Sequence, residues 1–165
     1  MTKLIVIDVD GTLTDGKIYY TQSGEEIKAF NIKDGLMIKS WNTLDKKSAI
    51  ITGRVSNIVE KRAKELDISY IKQGIRNKKE ALDEIIKELN ITYNEVAVIG
   101  DDMNDLSMIK VANKSFAPYD ANPYIYDTVN YPLTKNGGNG AVAEMIEILL
   151  KEETLFDKFL ELWEE

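Results

Sequence analysis

Short aliphatic runs alternate with longer stretches of helical period through most of the chain. Leu4-Ile5-Val6-Ile7 is continuously apolar and ends abruptly in Asp8-Val9-Asp10-Gly11, the pattern of a strand buried on both faces that breaks into a loop. Further along, the pattern predicts a strand at 48–51, a helix at 57–66, a strand at 69–72, a helix at 79–89 and a strand at 96–99. Regular αβ alternation of this kind predicts an α/β fold with a doubly wound parallel sheet. Residues 114–117 and 129–133 can add strands, and 141–150 reads as a helix entered through Gly137-Gly138-Asn139-Gly140.

Three segments stand outside this rhythm. Around the turn Gln22-Ser23-Gly24, residues 16–32 alternate as a projecting β-hairpin would, with Tyr19, Tyr20 and Phe30 among its packing residues. A helix is predicted from Asp34 towards Leu44, with Leu36, Met37, Ile38 and Trp41 on its period and Asp34 placed to cap its start. In the tail, Leu155, Phe156, Phe159, Leu160 and Trp163 fall at helical spacing, so a C-terminal amphipathic helix at 154–165 is expected to dock on its own domain, ahead of a subunit contact. The remainder, 1–153 with the hairpin included, reads as one domain. The intervals between the strand ends are too short to hold a cap domain.

Composition narrows the chemistry sharply. The chain has no cysteine and no histidine, which excludes thiol nucleophiles, imidazole bases and nitrogen or sulfur zinc sites. Carboxylates, hydroxyls, lysine and arginine remain, and hard oxygen ligands suit magnesium. Lysine and arginine number 21 against 28 acidic residues, and the formal charge of −7 disfavours nucleic acid and anionic membranes as partners. The first apolar run is too short for a signal-peptide core, which gives a cytoplasmic protein as the expectation.

Ligands of parallel α/β sheets bind outside the carboxyl ends of the strands. Four predicted ends carry reactive groups: Asp8 and Asp10, then Thr52-Gly53-Arg54, then Lys78 in the following segment, then Gly100-Asp101-Asp102. Asp8 and Asp10 sit two apart beside Gly11, so both carboxylates can reach one crevice, where a divalent cation would relieve their repulsion. Asp101 and Asp102 could complete an oxygen shell.

Taken together, Asp8-Val9-Asp10-Gly11-Thr12-Leu13-Thr14, Ile50-Ile51-Thr52-Gly53-Arg54, Lys78 and Gly100-Asp101-Asp102-Met103-Asn104-Asp105 resemble the four ordered motifs of haloacid dehalogenase phosphatases. Asp15-Gly16-Lys17-Ile18-Tyr19-Tyr20, Lys33-Asp34-Gly35, Gln73-Gly74 and Gly137-Gly138-Asn139-Gly140-Ala141-Val142 resemble its capless branch that hydrolyses 3-deoxy-D-manno-octulosonate 8-phosphate and nine-carbon keto-acid 9-phosphates. The resemblance implies a Rossmann-like fold, Asp8 as a nucleophile that becomes phosphorylated, and Asp10 as acid and then base. It further implies magnesium held by Asp8, the Asp10 main-chain carbonyl and Asp101, and a phosphoryl group held by Thr52, Gly53 and Lys78. Lys33 and Arg54 are expected to bind the substrate carboxylate, Asp102 to orient Lys78 or the metal shell, and Asp105 to support the site or cap the next helix. A homotetramer with pooled hairpins is implied too.

Two positions depart from the branch: Asn31 stands where histidine is common, and Ala143 where arginine is frequent. Arg54 favours the eight-carbon substrate, since an acidic residue tends to follow the Thr-Gly pair in the nine-carbon enzymes. A non-catalytic assembly domain would be expected to have lost some of Asp8, Asp10, Thr52, Lys78 and Asp101; all are present. A two-component receiver would carry its adjacent acidic pair on the first strand, whereas here Asp101-Asp102 comes last.

Overall fold

The computed structural model describes residues 1–164. Six strands form one sheet: β1 (Leu4–Ile7), β4 (Lys47–Ile51), β5 (Tyr70–Lys72), β6 (Val96–Ile99), β7 (Lys114–Ala117) and β8 (Tyr131–Pro132), in the order β5-β4-β1-β6-β7-β8. Every pairing in it is parallel. The chain moves outward from β1 through β4 and β5, then crosses back to build β6, β7 and β8 on the other side. That reversal leaves a crevice at the carboxyl end of β1, the ligand position expected of such a sheet.

The continuous apolar runs are explained by two covered faces. Ile5 and Ile7 join one core with α1 (Ile32–Thr43), α2 (Asn57–Glu65) and α6 (Ala141–Glu152), through Ile38, Trp41, Val59, Ala63, Met145, Ile146 and Leu149. Leu4 and Val6 point the other way, to α3 (Lys78–Leu89), α4 (Leu106–Ile109) and α5 (Pro123–Thr128), through Leu82, Ile85, Met108, Ile109 and Ile125. Period-2 alternation is therefore present in the pleat but invisible in the hydropathy.

The segment after β1 departs from the expectation in detail. Strands β2 (Tyr19–Tyr20) and β3 (Glu26–Ile27) are only two residues each, so the hairpin is a short ribbon and residues 28–31 leave it. Helix α1 begins at Ile32, capped by Asn31, whose side chain accepts from the Lys33 N–H at 2.8 Å. Asp34 does not cap its own helix. It is wholly buried and accepts the Ala143 N–H at 2.9 Å, capping α6, whose own N-terminal glycine offers no side chain. This bond uses the backbone of residue 143, so it survives the replacement of arginine by Ala143.

The last helix, α7 (Phe156–Glu161), is shorter than its apolar stripe. Leu155, Phe156 and Phe159 pack on the first core, whereas Leu160, Leu162 and Trp163 are exposed. No helix among the described residues is long and apolar enough to cross a membrane.

Candidate active site

The crevice is built by loops that leave three adjacent strands. From β1, residues Val9–Leu13 form one tight turn closed by the Thr14 N–H on the Val9 carbonyl at 3.0 Å. Helical geometry fails inside it at Asp10 (φ −75°, ψ 109°) and Gly11 (φ 96°), which turns the chain back over the strand end. A side chain at Gly11 would place its Cβ 2.1 Å from Asp101 Oδ2, so only glycine lets this loop lie against the β6 loop. The glycine-rich segment braces the same turn from outside, with the Gly138 N–H on the Thr12 carbonyl at 3.0 Å.

Asp8, Asp10, Thr52, Gly53, Arg54, Asp102 and Asn104 line a cavity of about 140 Å³. Beneath it lies a buried ion cluster. Lys78, in the first turn of α3, is wholly buried and donates to Asp8 Oδ1 at 2.6 Å and Asp105 Oδ1 at 2.5 Å. Burial alone would push the Lys78 ammonium down, but Asp8 and Asp105 together hold it above its ordinary value. Asp105 Oδ2 accepts the N–H groups of Asp101 and Asp102 at 2.9 and 3.2 Å, which shapes the β6 loop around it. Gly100 leaves the room Asp105 needs, since a Cβ there would meet the Asp105 carboxyl at 2.5 Å.

The Asp105 side chain makes no cap to the helix that follows, and the partner of Lys78 is Asp105 rather than Asp102. Asp102 instead caps the turn Met103–Asp105 through the Met103 N–H at 2.8 Å and meets Asn122 at 3.3 Å.

Asp8, Asp101 and Asp105 each direct one carboxylate oxygen into a group within 4.8 Å, the geometry of a cation site. Both oxygens of Asp105 are already engaged by Lys78 and the loop amides, which leaves Asp8 and Asp101 as the side chains able to serve a metal. Burial, reinforced by Asp105, raises the Asp8 carboxyl well above the usual range in the metal-free protein, Lys78 notwithstanding. The same two causes, in the same order, push Asp101 up to about 6. Two carboxyl groups destabilised as anions by burial and repulsion are what a divalent cation relieves, so the donor set fits magnesium.

Arg54 reaches the rim with Nη2 at 3.6 Å from Glu26 Oε2, and Tyr20 of the hairpin, followed by Glu26, raises its basicity further. Lys33 does not join it. That exposed side chain lines a separate groove of about 560 Å³ with Met37, Asn139, Ala143 and Glu147, between α1 and α6. Within one chain, Arg54 is therefore the carboxylate-binding candidate present at the crevice.

One residue at the site carries no signal in the sequence. The side chain of Lys28, just past β3, is wholly buried, and its ammonium bonds Asp10 Oδ1 and lies 3.1 Å from Glu26 Oε1. A lysine inside an alternating hairpin reads as solvated; only the fold-back of the ribbon onto the loop after β1 turns it inward.

Comparison with known proteins agrees with this geometry. A family model described as haloacid dehalogenase-like hydrolase matches residues 71–146. The chain is 39% identical over 156 residues to the 3-deoxy-D-manno-octulosonate 8-phosphate phosphatase KdsC of Escherichia coli K12, covering 94% of this chain and 83% of that one. Among solved structures, the 3-deoxy-D-manno-octulosonate 8-phosphate phosphatase of Moraxella catarrhalis, in complex with magnesium, phosphate and KDO, is 41% identical with a TM-score of 0.95, covering 99% of this chain and 94% of that one. The cobalt-bound deoxy-D-mannose-octulosonate 8-phosphate phosphatase of Haemophilus influenzae is 37% identical with a TM-score of 0.87, covering 91% and 88%.

Proposed function

This chain belongs to the 3-deoxy-D-manno-octulosonate 8-phosphate phosphatase family of haloacid dehalogenase-like hydrolases, and from that premise we propose that it is a magnesium-dependent phosphatase that hydrolyses 3-deoxy-D-manno-octulosonate 8-phosphate. The observation that carries the reading is Asp8, held at the end of β1 by a buried lysine and facing a crevice large enough for a phosphoryl group.

The Asp8 carboxylate attacks phosphorus, forming an aspartyl phosphate as the bond from phosphorus to the sugar oxygen breaks. Asp10 gives its proton to that departing oxygen. Asp10 then takes a proton from water as the water oxygen attacks the aspartyl phosphate, which releases inorganic phosphate and restores Asp8. Lys78, the Thr52 hydroxyl and the Gly53 N–H receive the phosphoryl oxygens. Asp8, the Asp10 main-chain carbonyl and Asp101 would hold magnesium, which when bound offsets the charge between anionic nucleophile and anionic ester. Asp105 keeps Lys78 in place, and Arg54 receives the sugar carboxylate, exchanging Glu26 for it.

A cavity of about 140 Å³ falls short of the ~300 Å³ or more that small-molecule sites usually offer, so the sugar extends beyond what one chain encloses. Tyr19, Tyr20 and Ile27 on the hairpin stand about half exposed or more, supporting a homotetramer in which neighbouring copies complete each site. Cytoplasmic residence accords with a phosphorylated sugar substrate.

A panel of sugar phosphates assayed with magnesium tests the assignment. The eight-carbon keto-acid phosphate is expected to give the highest kcat/KM, the nine-carbon homologue less. Preference for a sugar phosphate without a carboxylate would refute it.

A further inference from the structure

The hairpin does more than stand beside the catalytic loop, because it sends a buried cation into it. Lys28 has no exposed side-chain surface, yet its ammonium hydrogen-bonds the Asp10 carboxylate and lies 3.1 Å from a second carboxylate oxygen, Glu26 Oε1, as an ion pair. Removing an ammonium from water is costly unless its partners compensate, so a lysine with ordinary freedom would snorkel outwards. Its inward course is fixed instead by Asp10, which sits on a loop that leaves helical geometry and is itself partly open to the crevice. An aspartate there would otherwise sample several staggered side-chain orientations.

We propose that Lys28 is the positioning residue for Asp10: by holding Oδ1 it leaves Oδ2 as the oxygen that delivers and removes the proton. This rests on the acid and base role of Asp10 given above. Oδ1 can accept from the Lys28 ammonium whether Asp10 is protonated or not, so one contact serves both halves of the reaction. In the first half the proton leaves Oδ2 for the departing sugar oxygen; in the second it returns to Oδ2 from water. Oδ2 has no protein donor among the described residues, so nothing competes for it. Glu26 supplies a second anchor for the ammonium, and its other oxygen faces Arg54 at 3.6 Å. Orientation of the proton carrier thus depends on the hairpin, which the sheet alone does not provide.

The test uses the full-length enzyme with magnesium and two substrates, the sugar-acid phosphate and p-nitrophenyl phosphate, whose leaving group departs without a proton. Lys28→Met should lower kcat on the sugar phosphate by about 100-fold, a typical share for acid–base catalysis, with KM within about threefold. On the aryl ester the first half-reaction needs no acid, so rapid mixing should show a burst of nearly one nitrophenolate per site followed by slow turnover. Lys28→Arg, which keeps a donor, should recover at least about tenfold over Lys28→Met, on the same scale. Lys28→Gln serves if Lys28→Met does not fold. The proposal is overturned if the folded variant keeps kcat within threefold, if burst and turnover fall together on both esters, or if neither variant folds, which would make Lys28 structural. Full activity of Asp10→Asn would instead sink the acid–base reading itself, whatever Lys28 does.

Discussion

At the carboxyl edge of the sheet, Lys78 and Asp105 are wholly buried and Asp8 nearly so, whereas the hairpin leaving the same loop sets Tyr19, Tyr20 and Ile27 in solvent. Charge lies where apolar side chains are expected, and apolar side chains lie where charge is expected. The two inversions have different physical supports. In the crevice the buried charges meet polar partners: Lys78 meets two carboxylates, and Asp105 meets Lys78 and two backbone amides. On the hairpin Tyr19, Tyr20 and Ile27 stay open to solvent, with the Tyr20 hydroxyl reaching Arg54, and a ribbon with two residues per strand is not stable by itself. The charge cluster closes within one chain but for the cation that its carboxylates suit, whereas the apolar ribbon is left open to solvent.

The largest effects should come from opening the closed cluster. Asp8→Asn removes the proposed nucleophile and is expected to lower kcat by at least about 1,000-fold while the fold persists, read by phosphatase assay beside circular dichroism. Lys78→Met should cost both activity and stability, since it strands Asp8 and Asp105 together; breaking a buried pair of this kind costs about 3–5 kcal/mol. Denaturant melts that left its stability unchanged would contradict the assignment of these charges as a matched set.

Two glycines separate the regions more finely. Gly11 and Gly24 have nearly the same φ, 96° and 90°, but a Cβ at Gly11 meets Asp101 whereas one at Gly24 meets nothing within 4 Å. Gly24→Ala should therefore cost only the left-handed backbone penalty of about 1–2 kcal/mol and keep its activity. Gly11→Ala carries that penalty and also displaces Asp101, a proposed metal ligand, so its activity and its stabilisation by magnesium should both be lost. Equal behaviour of the two variants would show that strain, not the approach of the loops, governs both sites.

Magnesium should sharpen the contrast through pH. Asp8 and Asp101 are raised by burial and by Asp105. In the metal-free protein their contribution to stability is therefore greatest in acid and falls as pH rises through about 6, the value for Asp101. Cation binding needs the ionised forms, so the rise in Tm on adding magnesium should grow across the same interval. At 100 times its Kd the ion should add about 2.7 kcal/mol. Asp101→Asn should flatten both trends in thermal melts, and trends as steep as the wild type would assign them elsewhere.

Legibility in the sequence followed the same division. The parallel sheet could be read because five consecutive elements repeat one rhythm, and β6 falls on its apolar run while β7 falls at the expected 114–117. The ordered acids, threonine and lysine were likewise visible because each sits at a strand end or the helix start beyond it. What escaped depends on which of two equivalent neighbours turns inward. Asp102 and Asp105 are alike in sequence, and only the space left by Gly100 gives Lys78 to Asp105. Asp34 looks like a cap for its own helix but serves α6, a partner more than a hundred residues away. Lys28 is hidden for the same reason, since no local pattern records that a ribbon folds back onto a loop.

The smallest effect on the chain's own stability should come from the hairpin face. Tyr19 and Ile27 are cross-strand partners, and both are about half exposed, so they bury little within one copy. Replacing both by serine removes apolar surface that the isolated chain barely uses, and unfolding free energy per chain should move by no more than about 0.5 kcal/mol, as for exposed sites generally. Assembly should respond quite differently. If that face is covered by neighbouring copies, the lost apolar area weakens every contact it makes, at about 25 cal/mol per Å² buried. The double variant should therefore sediment as smaller species, with a higher KM for the sugar-acid phosphate because the part of the substrate outside the crevice loses its cover. Activity on a small aryl phosphate, which needs little beyond the crevice, should change less. An intact tetramer with unchanged KM would show that the exposed rings are ordinary surface, and that the hairpin acts on the site only through Lys28 and Arg54.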